Sequence, residues 1–108
     1  MKDKSEAQLV LETHLKELGL LFWEEYPFCE DRKWRADYAL LENGAKVLIE
    51  IEGAVWTQGR HTRGSGFEKD CVKYNFAAAL GYKVFRFPTG QVLRGEAKEF
   101  LKKHWLGQ

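Results

Sequence analysis

The stretch KWRADYALLENGAKVLIEIE, residues 33–52, decides the fold. Lys33 to Leu41 and Lys46 to Glu52 are rich in aromatic, aliphatic and alternating residues and read as strands. Asn43-Gly44 between them is a strong hairpin signal, because both residues tolerate the positive φ that a tight primed turn demands. A two-residue turn sets Glu42 opposite Ala45, and every opposed pair then has the same residue-number sum. Asp37 falls opposite Glu50, Ala39 opposite Leu48, Leu41 opposite Lys46 and Arg35 opposite Glu52. The reverse face carries Trp34, Ala36, Tyr38, Leu40, Val47, Ile49 and Ile51. It is almost wholly apolar, so packing it under helices would lock the register.

Outward from the hairpin, Ser5 followed three residues later by Gln8 is a capping-box pattern, and Ala7, Leu11, Leu15 and Leu18 recur at helical spacing. The spacing predicts a helix from about Glu6 to Leu18, stopped by Gly19. Leu20 to Tyr26, short and apolar-aromatic before Pro27, predicts a strand. Residues 53–66 hold four glycines with Arg60, His61 and Arg63 and lack periodicity, so they predict a long loop, a length that suggests function. Phe67, Cys71, Tyr74 and Ala78 mark an apolar stripe widened by Val72, Phe76 and Leu80, predicting a well-buried second helix ended by Gly81. Tyr82 to Phe87 reads as a strand broken by Pro88 and Gly90. A last helix is predicted from about Gly95 to Trp105, with Ala97, Phe100, Leu101 and Trp105 inward. The order is α-β-β-β-α-β-α. This is an α/β fold with a mixed sheet sandwiched by helices, because the helix between the third and fourth strands permits a parallel crossover.

The length of 108 residues suits one domain, spanning 1–108, and 44% hydrophobic with 31% charged residues excludes the disordered and fibrous classes. No apolar run approaches the roughly 20 residues of a membrane span, and Met1 to Ala7 is charged, so a cytoplasmic protein without membrane contact is expected. Cys29 and Cys71 have neither disulfide-framework nor zinc-site spacing and read as free thiols. A net charge of +1 gives no global basic signature, so any nucleic-acid site must rest on local charge.

Local charge is concentrated on one hairpin face, where Asp37, Glu50 and Glu52 gather although acids are depleted in strands. Opposed like charges destabilise a hairpin. At about 4 Å and an effective dielectric near 20, two carboxylates repel by about 4 kcal/mol, which protonation or a bound cation relieves. Mg²⁺ or Mn²⁺ suits two carboxylates with a nearby backbone carbonyl, for which Ile51 is the candidate. The alternative is a solvated pair neutralised by Arg35 or Lys46. Beyond the acidic strand end, residues 58–66 could bring Arg60, His61 and Arg63 with free backbone N–H groups to a phosphate.

Glu6 on the first helix, Ala36-Asp37 on one strand and Glu50-Ile51-Glu52 on the next resemble the PD-(D/E)XK nuclease superfamily over nearly the whole chain. Glu50-Ile51-Glu52-Gly53, then Asp70-Cys71-Val72-Lys73, then Leu80 to Phe87 resemble its very-short-patch-repair-like branch. There an acid-x-acid-Gly strand end, an acid and a base on the next helix, and a glycine before the final strand follow in this order. The resemblance implies a restriction-endonuclease-like core and a Mg²⁺- or Mn²⁺-dependent deoxyribonuclease acting in repair or recombination. It implies Asp37 and Glu50 as metal ligands with Glu6 a supporting acid, and Asp70 with Lys73 approaching from the helix behind. Asp37, Glu50, Glu52, Lys73 and His61 are the catalytic candidates. Arg60, His61, Arg63, Lys69 and Tyr74 are the nucleic-acid contacts, with DNA favoured over RNA, and a homodimer is expected if both strands of a junction are cut. One departure stands out: Glu52 occupies the position where the superfamily's name places lysine. Either Lys73, His61 or Arg63 replaces that cation, or Glu52 binds a second metal. If neither holds, the fold binds nucleic acid without cutting, or serves as a plain interaction domain with solvated acids.

Overall fold

A computed structural model describes residues 3–53 and 65–107. The capping box forms as the sequence dictates. The Ser5 hydroxyl accepts from the Gln8 N–H at 3.2 Å and the Gln8 side chain accepts from the Ser5 N–H at 2.8 Å. From there α1 runs Glu6–Glu17 and buries Ala7, Leu11 and Leu15. Three antiparallel strands follow, β1 (Trp23–Tyr26), β2 (Ala36–Leu40) and β3 (Val47–Glu52). Helix α2 (Ser65–Ala79) then crosses over to β4 (Lys83–Pro88), which lies parallel to β3. Two short helices close the chain, α3 (Thr89–Leu93) and α4 (Glu96–Phe100), the latter running on into a π-helical turn, Leu101–Trp105. The sheet order is β1-β2-β3-β4.

Each face of this mixed sheet has its own core. Tyr38, Leu40, Val47, Ile49 and Phe87 pack against α1, α3 and α4 through Leu11, Leu15, Val92 and Leu101. On the other face Ala39 and Leu48 pack with Phe28, Cys29 and Ala77 of α2. Among the described residues no helix is long and apolar enough to cross a membrane. Both cysteines are free, as expected, Cys29 buried and Cys71 exposed.

The structure departs from the sequence reading in three places. The first two strands are shorter than predicted, β2 beginning at Ala36 rather than Lys33, so strict alternation does not reach Trp34. Trp34 therefore turns to the α2 side, 6.3 Å from Phe28 and 5.1 Å from Phe76 between ring centres, and Ala36 joins the same cluster. Second, α2 is not well buried: Phe67, Val72, Phe76 and Leu80 are all exposed, and Ala77 is its fully buried residue. The sheet beneath carries carboxylates, so of the predicted stripe only Tyr74 turns to it, with Lys73 and Ala77 beside it. Third, β4 ends at Pro88 as expected, but the chain then folds into α3, a helix absent from the sequence reading, because Val92 finds a place in the first core.

Candidate active site

The site begins at the hairpin turn. Asn43 and Gly44 adopt φ of 59° and 81°, and the Ala45 N–H donates to the Glu42 carbonyl at 3.1 Å. Two positive φ values in a two-residue loop make a type I′ turn, whose twist matches that of the flanking strands. The register follows from it: Tyr38 pairs with Ile49, Ala39 with Leu48 and Leu40 with Val47, as the constant sum requires.

Beyond Tyr38 the backbone ladder gives way, and the acids take over the bonding. The Asp37 N–H donates to Glu50 Oε2 at 3.0 Å, and the Ile51 N–H donates to Asp37 Oδ2 at 2.8 Å. Each carboxylate thus reaches across to the other strand's backbone, which fixes both in the gap between β2 and β3. Helix α2 closes the gap from above. Tyr74 donates its hydroxyl to Glu50 Oε1 at 3.0 Å, and Lys73 Nζ lies 3.4 Å from the same oxygen.

Glu50 is buried and Asp37 partly so. Burial pushes the Glu50 carboxyl above its ordinary value; Lys73 opposes this, while the Asp37 charge adds to it. Burial likewise raises Asp37, offset in part by the Ile51 N–H and reinforced by the charge of Glu25. Desolvation penalises the charged form of both acids, and the one lysine at hand does not cancel the penalty. One lysine stands against two carboxylates. An oxygen-only donor set at a charge-deficient spot fits a hard divalent cation, with the Ile51 carbonyl as the neighbouring backbone acceptor. Among the described residues no group of three acidic, histidine or cysteine side chains that could hold a metal ion converges.

The remaining candidates are distributed as follows. Glu52 pairs with Arg86 Nε at 3.0 Å and not with Arg35, the residue that the hairpin register sets opposite it, and its charge acts on Asp37. Arg35 precedes the β2 ladder and donates instead to the Glu25 carbonyl at 3.1 Å. Lys46 also stays clear of the acids and bonds the Leu80 carbonyl. Glu6 sits exposed in the first turn of α1, and no hydrogen bond or ion pair joins it to Asp37 or Glu50. Lys69 and Asp70 are exposed on α2. Tyr74, expected as a nucleic-acid contact, has its hydroxyl committed to Glu50. Arg60, His61 and Arg63 lie outside the described residues.

Two residues escaped the sequence reading. Arg86 of β4 is paired in register with Glu50 and lies 4.3 Å over the Tyr74 ring. Glu25 of β1 lies between the rungs Glu24–Tyr38 and Tyr26–Ala36, and so faces Asp37, with a φ of 48° that is rare for a residue with a side chain. The acid count of the WEEY strand was a signal for Glu25. For Arg86 there was none, because no short turn ties β4 to β3.

No protein-family model matches the chain, and no curated protein matches it. Among solved structures the chain is similar to the catalytic domain of the homing endonuclease I-Bth0305I, at 18% sequence identity and a TM-score of 0.71, with 96% of this chain and 97% of that one covered. At that identity the likeness is one of fold, and it places the helix-flanked mixed sheet in the restriction-endonuclease-like class.

Proposed function

We propose that this protein is a Mg²⁺- or Mn²⁺-dependent endonuclease that hydrolyses DNA phosphodiester bonds. The observation that carries the reading is the buried Asp37–Glu50 pair, locked across β2 and β3 yet short of positive charge. The fold shared with a homing endonuclease catalytic domain supports it. Within the superfamily, the order of the acid, helix and glycine motifs favours the very-short-patch-repair-like branch.

Asp37, Glu50 and the Ile51 carbonyl would hold the cation, which when bound lowers the pKa of a water and steadies charge on the phosphate. The chain's own residues do the rest. The Ile51 and Asp37 N–H groups and the Tyr74 hydroxyl hold both carboxylates in fixed orientations, so no reorganisation is needed when the substrate arrives. A basic group, Lys73 beside Glu50 or His61, would orient the water or assist the leaving oxygen. Arg60 and Arg63 would grip the phosphate backbone, and Lys69 is a further contact. So small a domain has few elements left to enter a groove, and the substrate would be chosen by shape, such as a branch or nick, in repair or recombination. RNA is the less favoured substrate. Cutting both strands of a junction would require two copies of the chain.

The position of Glu52 favours one rival, a non-cleaving nucleic-acid-binding module. Branched, nicked and linear DNA incubated with Mg²⁺ or Mn²⁺, beside Glu50→Ala, separate the two. Cleavage lost in the variant is the expected result; binding with no cleavage by the native chain overturns the nuclease reading.

A further inference from the structure

A phosphodiester approaching Asp37, Glu50 and Glu52 meets three carboxylates, so the site needs a cation of its own that faces the substrate. Lys73 is poorly placed for this, being 18% exposed and turned to Glu50. Arg86 is differently placed. The parallel pairing of β3 with β4 sets it beside Glu50, its side chain is 43% exposed, and its Nε is anchored by Glu52 Oε2 at 3.0 Å. Tyr74 backs the guanidinium at 4.3 Å from the ring centre. The two terminal nitrogens make no hydrogen bond among the described residues. Arg86 lines an open recess of about 480 Å³ with Glu52, Phe67, Asp70, Tyr74 and Asn75, and Tyr74 of that lining bonds Glu50.

We infer that Arg86 is the phosphate-binding cation of this site, taking a nucleic-acid phosphate in the recess with its terminal N–H groups while Glu52 and Tyr74 hold it in place. The inference rests on the nuclease reading for the neighbouring chemistry, and on the Arg86 geometry for the binding itself. It also gives Glu52 a reason to stand where the superfamily places lysine: the strand supplies an anchor, and the cation arrives from the next strand. A guanidinium suits this arrangement better than an ammonium, because its planar fork can bond the anchor with one edge and a phosphate with the other. Its ion pair with Glu52, both partners accessible to water, is a weak reason by itself to keep an arginine here. Asp70 faces the same guanidinium, and its carboxylate limits how deeply an anion enters.

The test uses the full chain and a fluorescein-labelled nicked DNA duplex, with binding measured by anisotropy in Ca²⁺ over a salt series. Arg86→Met is expected to bind about tenfold more weakly and to lower the slope of log K against log salt by about one, the loss of one phosphate contact. Arg86→Lys is expected to keep the slope while losing affinity. In Mn²⁺, Arg86→Met is expected to raise KM more than it lowers kcat. Lys98→Met, which removes a cation paired to Glu17 far from the recess, is expected to keep the wild-type slope. A wild-type slope in an Arg86→Met protein that melts normally overturns the inference, as does an equal loss of slope in Lys98→Met. If the methionine variant does not fold, Arg86→Gln, which can still bond Glu52, is read in the same way. Failure of the nuclease reading would show elsewhere, as no cleavage by the native chain, whatever the slope.

Discussion

Glu12 on α1 and Glu50 on β3 are the two buried acids of the described chain, 7% and 8% exposed, and the fold treats them in opposite ways. For Glu12 burial raises the pKa, but Lys4 Nζ at 2.8 Å and the Tyr38 hydroxyl at 2.7 Å outweigh it and hold the carboxyl below its ordinary value. Glu50 has a tyrosine, a lysine and a backbone N–H, yet stays above its ordinary value, because it is more deeply desolvated and shares its space with Asp37. Equal exposure therefore hides different electrostatics. A structural acid is compensated by its own fold, whereas an acid left short of compensation is poised for something the fold does not contain.

The largest test of that contrast is to remove each charge. Asp37→Asn and Glu50→Gln are expected to lower cleavage by about 10²- to 10³-fold, the usual effect of removing a group that stabilises transition-state charge, while leaving the melting temperature unchanged or higher. Glu12→Ala is expected to do the reverse. It strands the buried Tyr38 hydroxyl and should cost about 1–3 kcal/mol, with kcat retained. Single-turnover cleavage and thermal melts decide the matter, and a Glu12→Ala protein that melts normally but does not cut would break the comparison.

A cation should sharpen it. Mn²⁺ at about 100 times its Kd is expected to stabilise the native chain by about 2.7 kcal/mol and to have no such effect on Asp37→Asn. A thermal shift of equal size in both proteins would mean the ion binds elsewhere.

Acidity tests the same contrast without a ligand. Asp37 and Glu50 have folded pKa values raised above their ordinary 3.8 and 4.5, so just above those values the folded state holds more protons than the unfolded one, and stability should rise as pH falls. Glu12 has a folded value below 4.5; its contribution is complete above that pH and is lost as pH falls through the folded value. The metal-free protein should therefore grow more stable on mild acidification and then lose stability below about pH 4.5. Glu50→Gln is expected to flatten the first limb and Glu12→Ala the second, as read from urea midpoints across pH.

How much of this was legible in the sequence depends on how each contact is closed. Asp37 faces Glu50 because a two-residue turn fixes the hairpin register, and Asn43-Gly44 announces that turn. Arg86 faces Glu50 through a parallel pairing closed by the long connection from Glu52 to Lys83 that carries α2, where no local signal sets the register. The second helix misled for a related reason. Hydrophobicity selected Phe67, Cys71, Tyr74 and Ala78 as its inner face; of these Tyr74 does face the sheet, but the sheet presents carboxylates, and a buried charge draws Lys73 toward itself beside the Tyr74 hydroxyl. Glu12 went unread because a lone glutamate beside a leucine stripe looks like a solvated position until Tyr38 is placed against it.

The finest division of the contrast comes from the two tyrosines, each of which donates its hydroxyl to one of the contrasted acids. Tyr38→Phe removes a hydrogen bond to a compensated carboxylate. It should cost about 1.5–3 kcal/mol, typical of bonds to charged groups, with cation affinity and cleavage unchanged. Tyr74→Phe removes a bond of the same kind from Glu50, yet the carboxylate it leaves is already disfavoured in the metal-free fold, so little stability should be lost. Its effect should appear once a cation needs Glu50 charged and correctly turned, as a roughly tenfold weaker Mn²⁺ affinity, in the range found for groups that orient metal ligands. Calorimetric Mn²⁺ titration and melts of the two variants, run side by side, would undo the distinction between the acids if both lost stability alike and neither lost affinity.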